Sequence, residues 1–203
     1  MYIKKKKILN DIYLVHFKTQ HEMASTFLRF QEHYESPKFM NKIFTLREFK
    51  QWYVKRKGKF TYYKDWDGFN IPSSIFDLFR KGKFNPLSSK EKLLLKLFKN
   101  ETHNFCIIAV HGKAHHHMLK HELAHALFYT NKKYKKKMLN IMKKYNLKQL
   151  KKELLSWGDY SNKTLLDEVQ AYSVSLYHEL KTEFPESMKK EIQQVFDKYS
   201  PIK

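Results

Sequence analysis

The chain has 203 residues, 42% hydrophobic and 16% aromatic, with only five glycines and five prolines. That size and composition suit one domain with its own core, and they exclude a disordered or fibrous chain. Forty Lys and Arg against twenty Asp and Glu leave +20 at pH 7, the single cysteine (Cys106) excludes an intramolecular disulfide, and no run of about eighteen apolar residues offers a membrane span.

Residues 8–17 alternate loosely in Ile, Tyr, Leu and Val, which predicts a strand. Thr19 with Glu22 forms a capping-box pattern, so a helix should run from there to about Tyr34 and end at Ser36-Pro37. Thr45 with Glu48 predicts a second helix reaching about Arg56, and Gly58 breaks it. Residues 59–64 read as a second strand. Residues 65–72 read as an ordered loop that tucks Trp66 and Phe69 into the core. Their acidic spacing fails as a calcium loop, because Gly68 comes too early and no terminal glutamate follows. A short helix is expected over 73–80. Ser88 with Glu91 caps the next, with Leu93, Leu94, Leu97 and Phe98 on its buried face. The clearest strand is 105–110, short, continuously apolar and followed by glycine.

The stretch His121-Glu122-Leu123-Ala124-His125 has the H-E-x-x-H pattern. Helical residues four apart are rotated by about 40° and raised one turn, so both imidazoles point the same way. Two neutral histidines at that spacing can fill two corners of a tetrahedral Zn²⁺ site. Glu122 cannot join the same chelate, but it can reach a water held on the metal and take its proton. Met118, Leu119, Leu123, Ala124, Ala126, Leu127 and Phe128 flank the motif, an uncharged wrapping that fits a buried helix.

Beyond it, Tyr134, Met138, Ile141, Met142 and Tyr145 recur at helical spacing, and their intervening lysines read as a solvated face. Residues 147–157 continue as a helix. A further helix should start at Thr164, with Asp167 as its capping partner. Leu165, Val169, Tyr172, Leu176 and Leu180 form its apolar stripe. Glu168 lies at the stripe's edge and is chosen as third ligand; Asp167 points away and is left to the cap and the helix dipole. Pro185 precedes a last helix over 186–199.

The motif at 121–125, followed some forty residues later by Asp167-Glu168-Val169-Gln170-Ala171-Tyr172, resembles the gluzincin group of zinc metallopeptidases, in particular its minimal members, over roughly residues 105–180. The resemblance implies a Zn²⁺-dependent peptidase with His121, His125 and Glu168 as metal ligands, Glu122 as general base and acid, and a peptide or protein as substrate. It also implies a strand bordering the cleft just before the active-site helix, whose edge could pair with an extended peptide. An oxyanion-steadying group is usual in such enzymes. Tyr172, one turn after Glu168, is the first candidate and Tyr160 the second. His117 reads as a partly exposed first-turn histidine; the alternatives are that it lines the cleft or supports a ligand, or, were the metal purely structural, that it closes the site as a fourth ligand, and His111, His115 and His116 are not assigned to it.

The fold expected is a mostly helical α+β single domain with a small sheet from residues near 8–17, 59–64 and 105–110. It divides into an N-terminal α/β portion (1–100) of unrecognised family, a zinc-site core (105–180) and a C-terminal helix (185–203). Competing readings are a zinc hydrolase of a non-peptide amide or ester, and a non-catalytic basic nucleic-acid-binding protein with a structural metal. Arginine occurs only at positions 29, 47, 56 and 80, so the positive charge is nearly all lysine and reads as composition bias. Specific nucleic-acid binding is not expected, although nonspecific polyanion attraction at low salt is. The basic start at 1–7 is followed by an apolar stretch broken at Asn10 and Asp11, unlike a signal peptide, and the expected compartment is the cytoplasm.

Overall fold

The computed structural model describes residues 3–113, 116–157, 164–175 and 180–202. The chain opens with a hairpin of β1 (Ile3–Leu9) and β2 (Ile12–Phe17), followed by α1 (Gln20–Glu35) and α2 (Leu46–Lys57). A 3₁₀ turn at Tyr62–Lys64 leads to β3 (Gly68–Pro72). A second 3₁₀ turn at Ser73–Ile75 runs into α3 (Phe76–Arg80), and α4 (Ser89–Leu97) and β4 (Cys106–His111) follow. The described residues after β4 carry five helices: α5 (His116–Thr130), α6 (Lys132–Met142), α7 (Lys148–Ser156), α8 (Leu165–Ser175) and α9 (Glu186–Tyr199). The expected α+β, mostly helical class is what the chain adopts.

Local chemistry sets most boundaries. Thr19 Oγ1 accepts from the Glu22 amide at 3.2 Å at the start of α1. Complete capping boxes, Thr45 with Glu48 and Ser88 with Glu91, open α2 and α4. Gly58 closes α2 with φ at 80°, a conformation that glycine reaches without strain.

The sheet runs β1-β2-β4-β3, with β2 and β4 parallel and the outer pairs antiparallel. β4 lies inside, with helices over both faces, which is why it is apolar along its length. Cys106, Ile108 and Val110 join Ile12 in a core against α5, α6, α8 and α9. Ile107 and Ala109 face the other way with Tyr13, Val15 and Phe17. There they meet an aromatic core that includes Phe27, Phe30, Phe69, Phe76, Phe79 and Phe98. The period-2 alternation of the strands thus sorts one sheet between two cores.

Four expectations need correction. The strand expected over 8–17 is the end of the first arm, the turn and the second arm of a hairpin, and that first arm also carries Lys4–Lys7. β1 is an outer strand, where lysines oppose edge-to-edge pairing with another chain. Residues 59–64 form no strand: Tyr62 drops its ring into the aromatic core from a 3₁₀ turn. The strand lies instead within the segment read as loop, because Phe69 and Ile71 alternate with Gly68 and Asn70 and ladder onto β4. Phe69 is buried as expected, with Trp66 packed on it at 6.1 Å. Finally, β4 has no free edge, since β2 and β3 take both its sides, and the outer strand next to α5 is β3.

Candidate metal centre

α5 buries Leu123, Ala124, Ala126, Leu127 and Phe128 against the sheet and its neighbours, and the two alanines let it lie close. That docking turns His121 and His125, one turn apart, toward α8. Their Nε2 atoms are 3.1 Å apart. Glu168, in the first turn of α8, is 6% exposed and places Oε2 at 3.9 Å from His121 Nε2 and 3.6 Å from His125 Nε2. One ligand atom from each of the three residues falls within 4.8 Å of the others. Donor atoms around a tetrahedral zinc ion, bound at roughly 2.0–2.2 Å, stand about 3.4 Å apart. The triangle observed brackets that spacing. Glu168 Oε2 is also buried and has no hydrogen-bond partner, an orphan that a cation would satisfy.

Both imidazoles are held from behind by one stripe of α8. His125 Nδ1 lies 2.9 Å from Asp167 Oδ1. Gln170 Nε2 donates to the same oxygen at 3.0 Å, and the buried Tyr134 hydroxyl donates to Gln170 Oε1 at 2.7 Å. His121 hydrogen-bonds the backbone carbonyl of Ala171, and its Nδ1 is 3.5 Å from Ser175 Oγ. Asp167, Ala171 and Ser175 recur every four residues, so a single helix face orients both rings with Nε2 turned inward. Asp167 is therefore a correction: it faces His125 rather than pointing away. The α8 face that meets α5 is wider than the apolar stripe, and it takes in two successive first-turn carboxylates.

Glu122 lies on the opposite side of the site, against β3. A Cβ at Gly68 would come within 2.9 Å of Met118 Sδ and 3.1 Å of Glu122 Oε1, so only glycine lets the strand sit this close. The glycine that came too early for a calcium loop is there for this approach. Asn70 ties the same strand to the helix, donating to the Glu122 carbonyl and accepting from Cys106 Sγ at 2.7 Å.

Electrostatically the site has more carboxylates than it can charge. Burial pushes Glu122 up to about 7, with His125 opposing and Asp167 reinforcing the shift. Burial likewise raises Glu168 to about 8 and Glu35, at the end of α1, to about 7; His125 opposes both. Burial holds His121 well below the ordinary imidazole value. For His125 burial acts the same way, but Asp167 and Glu168 outweigh it and carry the ring well above that value. Four acids around one imidazolium lack positive charge, and a divalent cation would supply it.

A cavity of about 440 Å³ opens over His121, Glu122 and Glu168. Tyr172 is buried at its wall with its ring 4.7 Å from that of His121. His117 and His116 are exposed and outside the His/His/Glu group, and His111 lies 3.5 Å from Asp67. Tyr160, His115 and Leu176 lie outside the described residues. Sequence reasoning missed the second carboxylate Asp167, its support by Gln170 and Tyr134, and Glu35. The Asp167/Gln170 spacing was a usable signal, since side chains three apart on a helix can bond. Nothing in the sequence near residue 35 points to residue 122.

The fold and site together define an α+β protein with a His/His/Glu group, its glutamate buried and its histidines partly so, that could hold a metal ion. Compared with protein-family models, curated proteins and solved structures, the chain matches none.

Proposed function

We propose that this chain is a zinc-dependent metallopeptidase in which His121, His125 and Glu168 hold the ion and Glu122 is general base and then general acid. The observation that carries the reading is the buried, unpartnered Oε2 of Glu168 beside two imidazoles whose other nitrogens are tied to α8. Zinc, when bound, supplies the Lewis acidity that polarises a scissile carbonyl and acidifies water. The chain's own groups do the rest. Glu122, held near neutrality by burial, takes a proton from the attacking water and returns it to the leaving amine. Asp167 keeps Nε2 of His125 aimed inward. Tyr172 is the candidate for steadying the oxyanion.

β3 favours a peptide over another amide. Its outer edge pairs with no strand among the described residues, and Gly68 at its start lines the cavity. An extended chain laid along that edge gains main-chain hydrogen bonds without sequence preference. Among the described residues no helix is long and apolar enough to cross a membrane. The test is metal analysis with a peptide digest. About one zinc per chain and chelator-sensitive hydrolysis are expected, with Glu122→Ala retaining the metal and losing turnover. Undiminished hydrolysis by Glu122→Ala overturns the reading.

A further inference from the structure

Two buried atoms of opposite hydrogen-bonding sense belong to residues that line one space. Trp66 Nε1 and Gln31 Oε1 are both buried, and neither has a hydrogen-bond partner among the described residues. Both residues line the cavity over the metal centre. Both also line a smaller space of about 100 Å³ that reaches His121, His125 and Glu168. Gly68, at the start of β3, borders the two spaces as well. Neither residue is a metal ligand or carries charge, and the chemistry assigned above uses neither.

Their surroundings hold both groups in place. Gln31 donates through Nε2 to Glu35 Oε2 at 2.9 Å, one turn along α1, which commits its nitrogen and leaves its oxygen. Trp66 follows the 3₁₀ turn at Tyr62–Lys64, and Gln20 Nε2 donates to the carbonyls of Lys64 and Trp66 at 3.0 and 3.1 Å. The indole packs against the rings of Tyr62 and Phe69 at 5.9 and 6.1 Å. An unpaired buried donor or acceptor costs stability, so two held this firmly at one cavity call for a ligand that completes them. The indole nitrogen only donates, and the amide oxygen only accepts. One donor with one acceptor is the complement of a peptide main chain, whose C=O accepts and whose N–H donates. A cation would satisfy only the oxygen and a carboxylate only the indole. An ester brings the carbonyl without the N–H. The outer edge of β3, unpaired among the described residues, runs from Gly68 beside the same space.

We propose that Trp66 and Gln31 form a subsite for the main chain of the substrate, the indole N–H donating to a carbonyl oxygen and Gln31 Oε1 accepting from an amide N–H. The subsite rests on the peptidase reading and adds to it a selection of peptides over esters. The test uses the full chain carrying Glu122→Gln, with zinc, so that peptides bind without turnover. The probes are acetyl-pentaalanine-amide and five analogues, in each of which lactic acid replaces one alanine and an ester oxygen takes the place of one N–H. Binding is read by titration calorimetry. At least one ester should bind about tenfold more weakly than the all-amide peptide, because it leaves Gln31 Oε1 unpaired. That penalty should vanish once Gln31→Met removes the acceptor. Trp66→Phe keeps a ring and loses the donor; it should weaken the all-amide peptide about tenfold and leave the ester penalty in place. Six probes bound equally, or not at all, overturn the inference with no variant at either position needed, and equal binding is the result if both atoms hold only water. An ester penalty that survives Gln31→Met also overturns it, since the lost N–H then paired elsewhere, as along β3. So does a Trp66→Phe chain that binds the all-amide peptide as tightly as its parent. A parallel digest by the unsubstituted chain with zinc separates the two readings. Cleavage of the all-amide peptide alongside equal binding of all six probes overturns the subsite and spares the hydrolase. Amide-selective binding that depends on Gln31, with no probe cut, supports the subsite and removes the peptidase.

Discussion

Arg29 and Glu91 lie on the aromatic side of the sheet; His121, His125, Asp167 and Glu168 lie on the other. Both groups bury opposite charges, and their bonding differs. Arg29 grips Glu91 through two hydrogen bonds of 2.6 Å and donates the rest to the carbonyls of Phe84 and Pro86, at 2.9 and 3.3 Å. Glu91 also closes the capping box of α4. That fork is saturated with partners and leaves no room for a ligand. Across the sheet Glu168 Oε2 has no partner, and four carboxylates share one imidazolium. A saturated cluster holds the fold; an unsaturated one, kept buried at a cost, is what a binding site for a cation looks like before its cation.

Substitutions should separate the two, and the largest effect falls on activity. Glu122→Ala should lower kcat by about 10²–10⁴-fold, the span of general base catalysis, with unchanged zinc content. A kcat within threefold of the unsubstituted chain would remove Glu122 from the chemistry. Next comes the saturated side. Glu91→Ala leaves a buried guanidinium unpaired and should cost about 3–5 kcal/mol, read from denaturant unfolding. Glu168→Gln should do the opposite: a neutral isostere relieves the crowding of acids, so the metal-free protein melts no lower than the unsubstituted chain. Zinc at a hundredfold its Kd should then add about 2.7 kcal/mol to the unsubstituted chain and nothing to the variant. A metal-free Glu168→Gln protein as damaged as Glu91→Ala would mean that both clusters are structural.

Asp167→Asn probes the support rather than the ligand. Its amide is as large as the carboxylate but cannot strengthen the imidazole's hold on a cation. Zinc affinity, read by chelator competition, should fall about 10–100-fold while the melting temperature moves little. Unchanged affinity would reduce Asp167 to a packing contact.

What the sequence disclosed follows the range of the forces involved. Caps at Thr19, Thr45 and Ser88 act over three residues, and they place α1, α2 and α4 within a residue or two. The His121/His125 pair is a single-turn signal, and α9 starts where Pro185 demands. Glu168 was legible because its helix carries a clear stripe. Asp167 was not, since its direction depends on where an imidazole from α5 arrives, and no periodicity within α8 encodes that. β3 was read as loop because Gly68 and Pro72 bound it, and only its ladder with β4 shows that Phe69 and Ile71 alternate. Glu35 reaches the site through the packing of α1 on the far end of the sheet, so it is invisible to local pattern.

A half-exposed cluster completes the scale. Lys5 Nζ lies 2.7 Å from Glu101 Oε1, and the Tyr13 hydroxyl donates to Glu101 Oε2 at 2.6 Å, tying β1 and β2 to the segment after α4. These hydrogen bonds, Lys5 first, hold the Glu101 carboxyl below its ordinary value of 4.5. A depressed folded-state value means stability that is present above the ordinary pKa and lost as pH falls through the folded one. Both side chains are about a fifth exposed, so solvent screens the pair and Glu101→Gln should cost under about 1 kcal/mol at pH 7. The gap between the two proteins should close as pH falls below 4, in denaturant midpoints measured across that range. A gap that instead persisted into acid would show that Glu101 acts through packing rather than charge. The pair would then belong with neither of the buried clusters.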